Sequence, residues 1–177
     1  MKTLKTLLIL FMTASVLVSC KKDDDGGDNA FLLSNENLSG TYNFTLLEVN
    51  SDQTIEVNGI PVSSNINVVG DTFQVDFVFN ANGTYTAEGQ YRITTTVTVA
   101  GQSEISTEII VFDESGDYTL DANNQTIEFS TPTDSFTSGK FNITLFNENQ
   151  FQVEQIVSQT IQGVDTDTET RVHFVRI

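Results

Sequence analysis

The chain has 177 residues, 8 basic and 24 acidic, for a formal net charge of −16, with one Cys, one His, no Trp and thirteen Phe. A lone cysteine excludes an intrachain disulfide, and the acidic surplus opposes nucleic-acid phosphates and anionic membrane surfaces. A hydrophobic content of 38% suffices for a packed core within one domain. In chain order, Lys2 and Lys5 come first, followed by the apolar run Leu7–Val18, interrupted by Thr13 and Ser15. That is the layout of a secretory signal peptide. The run is shorter than the about 20 residues that a bilayer-spanning helix needs.

The next residues, Leu17-Val18-Ser19-Cys20, resemble the lipobox of bacterial lipoproteins. The resemblance implies cleavage after residue 19 and a lipid-bearing Cys20 at the new N-terminus, so that the protein is tethered to a membrane. The alternative is an ordinary cleaved signal with an incidental cysteine. Several acyl chains anchor stably where one gives only marginal binding. Residues 20–37 open with Lys21-Lys22-Asp23-Asp24-Asp25-Gly26-Gly27-Asp28-Asn29, which has nothing to bury and reads as a flexible tether. This stretch is also similar to the lysine-plus-acid export signal of surface lipoproteins in one Gram-negative lineage. That similarity implies an export role for Lys22, Asp23, Asp24 and Asp25, with a plain solvated spacer as the alternative. Lys21, standing where Asp would favour inner-membrane retention, favours the outer membrane.

From residue 38 to 177 the hydrophobic period is two. Phe73, Val75, Phe77 and Phe79 fall on one face of a strand, as do Tyr42 with Phe44, Ile127 with Phe129, and Phe141 with Ile143 and Leu145. A helical turn within 30–38 precedes the first strand. Strands are predicted at 40–49, 53–57, 60–69, 72–80, 83–99, 103–112, 117–120, 125–131, 139–147, 151–163 and 169–177, merging to eight to ten. Turn signals lie at Asn58-Gly59, Asn82-Gly83, Ala100-Gly101, Glu114 to Asp117, Asp121 to Asn124, Asn147 to Gln150 and Asp165 to Thr168. Gly89 is a candidate bulge or corner, and the consecutive apolar residues Ile109 to Phe112 predict burial on both faces or a register shift. Short connections throughout predict an all-β antiparallel meander. Closure into an up-and-down barrel protects the edges of such a meander better than a sandwich does.

Leu38-Ser39-Gly40-Thr41-Tyr42-Asn43-Phe44 opens this domain and Arg171-Val172-His173-Phe174-Val175-Arg176-Ile177 closes it. Together with the hairpin from Tyr118 to Ile127, these segments resemble the lipocalin-like domain of bacterial lipoproteins. The family pattern has Leu-x-Gly-x-Trp on the first strand and an Arg on the last, and Tyr42 here replaces the Trp. The resemblance implies a barrel closed at one end by the Tyr42 aromatic against Arg176, with Arg171 as the other candidate. Gly40, Tyr42 and Arg176 are then structural.

Chemistry is sparse. His173 is the only imidazole, no Gly-x-Ser-x-Gly elbow exists, and Cys and His are too few for a zinc site. Asp165, Asp167 and Glu169 alternate as calcium ligands do but lack the glycine and distal glutamate of such a loop. No metal and no cofactor are expected. A pair of acids for glycoside hydrolysis has no recognisable spacing. An eight-stranded barrel either fills with side chains or holds one small ligand. Phe73, Phe77, Phe79, Phe112, Phe129 and Phe141 are the candidates to line an apolar cavity or to pack as core. The sequence thus predicts a lipid-anchored outer-membrane or cell-surface lipoprotein, without nucleic-acid partners and without catalytic activity. It binds a small hydrophobic ligand or a partner, or else serves as a structural surface module with a filled barrel.

Overall fold

The structure is a computed structural model describing residues 31–130, 139–161 and 163–177. The expected signal peptide 1–19, Cys20 and the residues expected to direct export, Lys22, Asp23, Asp24 and Asp25, lie outside the described residues. Helix α1 (Asn35–Leu38) is followed by β1 (Gly40–Val57), β2 (Ile60–Phe79), β3 (Thr84–Val99), β4 (Gln102–Asp121), β5 (Thr126–Ser130), β6 (Gly139–Phe146), β7 (Gln150–Ile161) and β8 (Val164–Arg176). Each strand pairs antiparallel with the next, and β8 returns to β1, so eight strands form a closed ring in up-and-down order.

Chain chemistry explains the turns. Asn58 and Gly59 both take positive φ, 54° and 76°, as a two-residue hairpin demands. Gly89 lies in β3 with φ 144°, opposite Val75 and just beside an irregularity in β2 between Asp71 and Gln74. A Cβ there would sit 1.9 Å from the Gln74 carbonyl oxygen, so only glycine lets β2 and β3 approach at this bend.

Several expectations are revised. Residues 31–37 belong to the fold: Leu33 packs on the core, the Phe31 ring lies 5.1 Å from that of Phe146, and Ser34 caps α1 by accepting from the Asn37 amide. The folded part therefore includes Phe31 to Asn37, which precede the expected opening at Leu38. Glu114 to Asp117 lies inside β4, paired with β3, because its alternation continues through Gly116. Asp165 to Thr168 also lies inside a strand. The last hairpin turns at Gly163, φ 81°, since Asp165 and Asp167 point outward while Thr166 and Thr168 point inward. Ile109 to Phe112 keeps a regular register with β3. Phe112 is buried and Ile110 packs against the core, whereas Ile109 and Val111 face solvent.

Strand length divides the ring into two halves. Among the described residues, β4 pairs with β5 over Asp117–Asp121 and β6 pairs with β7 between Asn142 and Phe146. Their closure of the ring lies in the half holding the turns at Asn80–Gly83, at 122–125 and at 147–149, together with α1. The other six strands, in the order β7-β8-β1-β2-β3-β4, continue past this closed half as one sheet. On the far part of β3, Thr94 and Thr96 on one face and Thr95 and Val97 on the other are all half-buried. A side chain under a second layer would be buried, so this part of β3 carries no second layer on either face.

Candidate functional site: a filled ring and an open sheet edge

At the closed end, alternation on β1 sends Tyr42 inward and pairing places Arg176 directly opposite it. The guanidinium carbon stands 4.9 Å from the Tyr42 ring centroid. Its Nη1 donates to the Ser39 carbonyl at 2.8 Å, and Nη2 donates to the Asn37 carbonyl and to the Tyr42 hydroxyl. Tyr42 in turn donates to the Leu38 carbonyl at 2.9 Å. Burial pushes the Tyr42 phenol up, partly offset by the Arg176 charge. Gly40 packs beside them: a Cβ there would meet Arg176 Nη1 at 2.7 Å. The group ties α1 and the incoming chain to the last strand. Arg171 lies elsewhere, on the outer face, 3.4 Å from Glu48 and 2.9 Å from Glu169.

The phenylalanine candidates gather inside the ring. Phe77, Phe79, Phe112, Phe129 and Phe141 are buried, and Phe73 is half-buried at their edge. Phe77 is fully covered, with ring centroids of Phe79, Tyr85, Phe174 and Phe44 at 4.9 to 5.6 Å. Phe129 joins Phe141 at 5.9 Å, and Phe151 stacks on Phe174 at 4.3 Å. These are packing distances for aromatic pairs, so the space between the rings is taken by other rings. Sequence reasoning did not single out Phe44, Phe174, Tyr85, Tyr91 and Tyr118 for this cluster. Their signal was present in the same period-two pattern. Burial pushes the Tyr91 and Tyr118 phenols up to about 12, and Tyr118 donates to the Asn80 carbonyl at 2.7 Å.

The outer face is polar. Asn65 Nδ2 bridges Asn50 and Asp52 at 2.8 and 2.9 Å, and Arg92 holds Asp71 in a two-toothed pair at 2.7 and 2.9 Å. The Arg92 hydrogen bond holds the Asp71 carboxyl below its usual range. Glu154 is pushed up, chiefly because it shares a hydrogen bond with Glu169. Burial lowers His173, which sits between Val172 and Phe174 and faces away from the aromatic cluster. Asp165, Asp167 and Glu169 also point outward, and no set of three metal-ligating side chains gathers among the described residues.

The far half of β4 differs from all of this. Every residue from Gln102 to Ile109 is exposed, and Ile105, Ile109 and Val111 are 67%, 64% and 76% exposed. The three point outward, opposite Thr96, Arg92 and Gln90 of β3. Glu104 and Glu108 occupy the inner face, opposite Val97 and Ile93. Ile105, Ile109 and Val111 are exposed because they face the outside of the sheet, and Glu104 and Glu108 because no described residue pairs with β4 beside them.

No family model, curated protein or solved structure matches this chain. Function is therefore read from the geometry: an aromatic interior and a tied-down closed end that stabilise the fold, and a β4 edge to which no described residue pairs between Gln102 and Gly116.

Proposed function

We propose that the protein is a lipid-anchored outer-membrane or cell-surface lipoprotein whose lipocalin-like barrel works through its outer surface and sheet edge, as a docking module. Cys20 carries the anchor, and the acids at 23–25 with Lys22 direct export. The observation that supports docking over ligand carriage is the contact of Phe77 with aromatic rings on several sides, which leaves the barrel core to its own side chains. The placement of Arg176 over Tyr42 supports the lipocalin likeness. The acidic surplus, −18 once residues 1–19 are removed with Lys2 and Lys5, keeps neighbouring tethered copies apart.

Two substitutions test the anchor and the address separately. Cys20→Ala leaves the chain unprocessed or frees it from membranes, and a variant of wild-type size that stays membrane-bound contradicts the anchor. Replacing Asp23, Asp24 and Asp25 with Ala removes protease accessibility on intact cells while membrane association persists. Unchanged accessibility rejects the export role.

A further inference from the structure

We propose that the free edge of β4, from Gln102 to Val111, receives an extended polypeptide segment of alternating basic and apolar side chains as an added antiparallel strand. This rests on the docking reading above and gives the partner its chemistry.

The edge is open on one side only. β3 pairs with β4 along its length, from Thr84 opposite Asp117 to Val99 opposite Gln102. On the other side, among the described residues, β5 stops at Asp117. Among the described residues, none pairs with β4 on this side between Gln102 and Gly116. Backbone N–H and C=O groups along such an edge are a template for another strand.

The side chains of the edge select what can pair. An added strand would set one face beside Ile105, Ile109 and Val111 and the other beside Glu104 and Glu108. Apolar residues suit the first face and lysine or arginine the second, because opposite charges directly across a strand pair attract and like charges repel. From residue 29 onward the chain holds 20 acids against Arg92, Lys140, Arg171 and Arg176, so a basic segment is also drawn in from a distance.

A second copy fits less well. An antiparallel pair with Thr107 opposite its own counterpart matches Ile105 with Ile109. It also sets Glu104 of one copy diagonal to Glu108 of the other, about 7–8 Å apart, between two strongly acidic domains. Inward-pointing charges on an edge strand are a known device against self-pairing. The same two glutamates that repel a copy accept a basic partner, which is how attraction and repulsion together give specificity.

The test uses the full chain in neutral detergent and a fluorescent heptapeptide of alternating lysine and valine. One control carries N-methyl groups on the backbone nitrogens of one edge, and another replaces lysine with glutamate. The expected result is binding at least tenfold tighter than either control, weakened by salt, with new hydrogen-exchange protection confined to β4 between 103 and 111. The double variant E104K/E108K, with unchanged circular dichroism, should exchange preference and take the glutamate peptide. Equal binding of the N-methylated peptide, protection elsewhere or no binding overturns the proposal. Protection of β4 without peptide that rises with protein concentration, with a dimer in sedimentation, assigns the edge to a second copy and overturns it too. Failure here leaves the docking reading standing; that reading fails separately if fatty acids stabilise the chain while β4 exchange is unchanged.

Discussion

Replacing Arg176 with Met keeps most of the side-chain volume and removes the fork that ties α1 and the incoming chain to β8. The guanidinium donates to the Ser39 and Asn37 carbonyls and to the Tyr42 hydroxyl, and stands over the Tyr42 ring. A hydrogen bond from a charged group is worth about 1.5–3 kcal/mol net, and a cation–π contact about 0.5–2 kcal/mol. These contributions share one side chain and do not add fully, so the expected loss is about 3 kcal/mol. At about 2–4 °C per kcal/mol for a domain of this size, Tm falls by roughly 10 °C. Arg176→Lys restores the charge without the planar fork and recovers the smaller part of the loss. Urea denaturation gives the free energy, with an unchanged m-value showing that the denatured state is unaffected. Hydrogen exchange should show residues 31–39 losing protection first, since the fork is what fastens them to β8. A loss below about 1 kcal/mol, or undiminished protection of Leu38 and Ser39, would refute the role assigned to Arg176.

Other perturbations probe the ring and the outer face. Phe77→Ala should cost about 3–5 kcal/mol and open a dry cavity, so benzene should stabilise that variant in thermal melts and leave the wild type unmoved; equal shifts in both would contradict the packing described. Glu154→Gln should raise Tm near neutral pH. The folded pKa of Glu154 lies above its unfolded value, so its favourable contribution exists only below the unfolded value and is lost as pH rises through the folded one. The gain should vanish near about pH 4, and a gain independent of pH would point to another cause. Gly89→Ala forces a Cβ against the Gln74 carbonyl at an unfavourable φ and should cost more than about 3 kcal/mol by denaturant unfolding; a variant as stable as the wild type would show that β2 and β3 do not pack this closely.

Much of the fold was legible because the relevant signals are local. Period-two alternation marked the inward faces around Tyr42, Phe77 and Phe141, and Asn58-Gly59 and Ala100-Gly101 marked hairpins through the φ angles they supply. Local signals misled where composition and period disagreed. The run from Asp165 to Thr168 has turn composition, yet its acids and threonines alternate, and pairing with β1 and β7 decided the matter. Glu114 to Asp117 misled in the same way, because Gly116 in a strand leaves room for the Tyr85 ring and the Ser130 carbonyl. The open edge was not legible at all. Ile105, Ile109 and Val111 face the outside and Glu104 and Glu108 the inside, and only three-dimensional pairing shows which face is which and where β5 and β6 stop. That is a property of three-dimensional pairing with no trace in the hydropathy of β4 itself.

The central question is whether molecules are engaged outside the ring or carried within it. Thermal melting of the wild-type chain with long-chain fatty acids, sterols and haem compounds at about 100 times a plausible Kd decides this most directly, since a bound guest would stabilise by about 2.7 kcal/mol there. The prediction is a Tm unchanged by any of them. A concentration-dependent rise of roughly 5–10 °C would show an interior guest and contradict the filled ring.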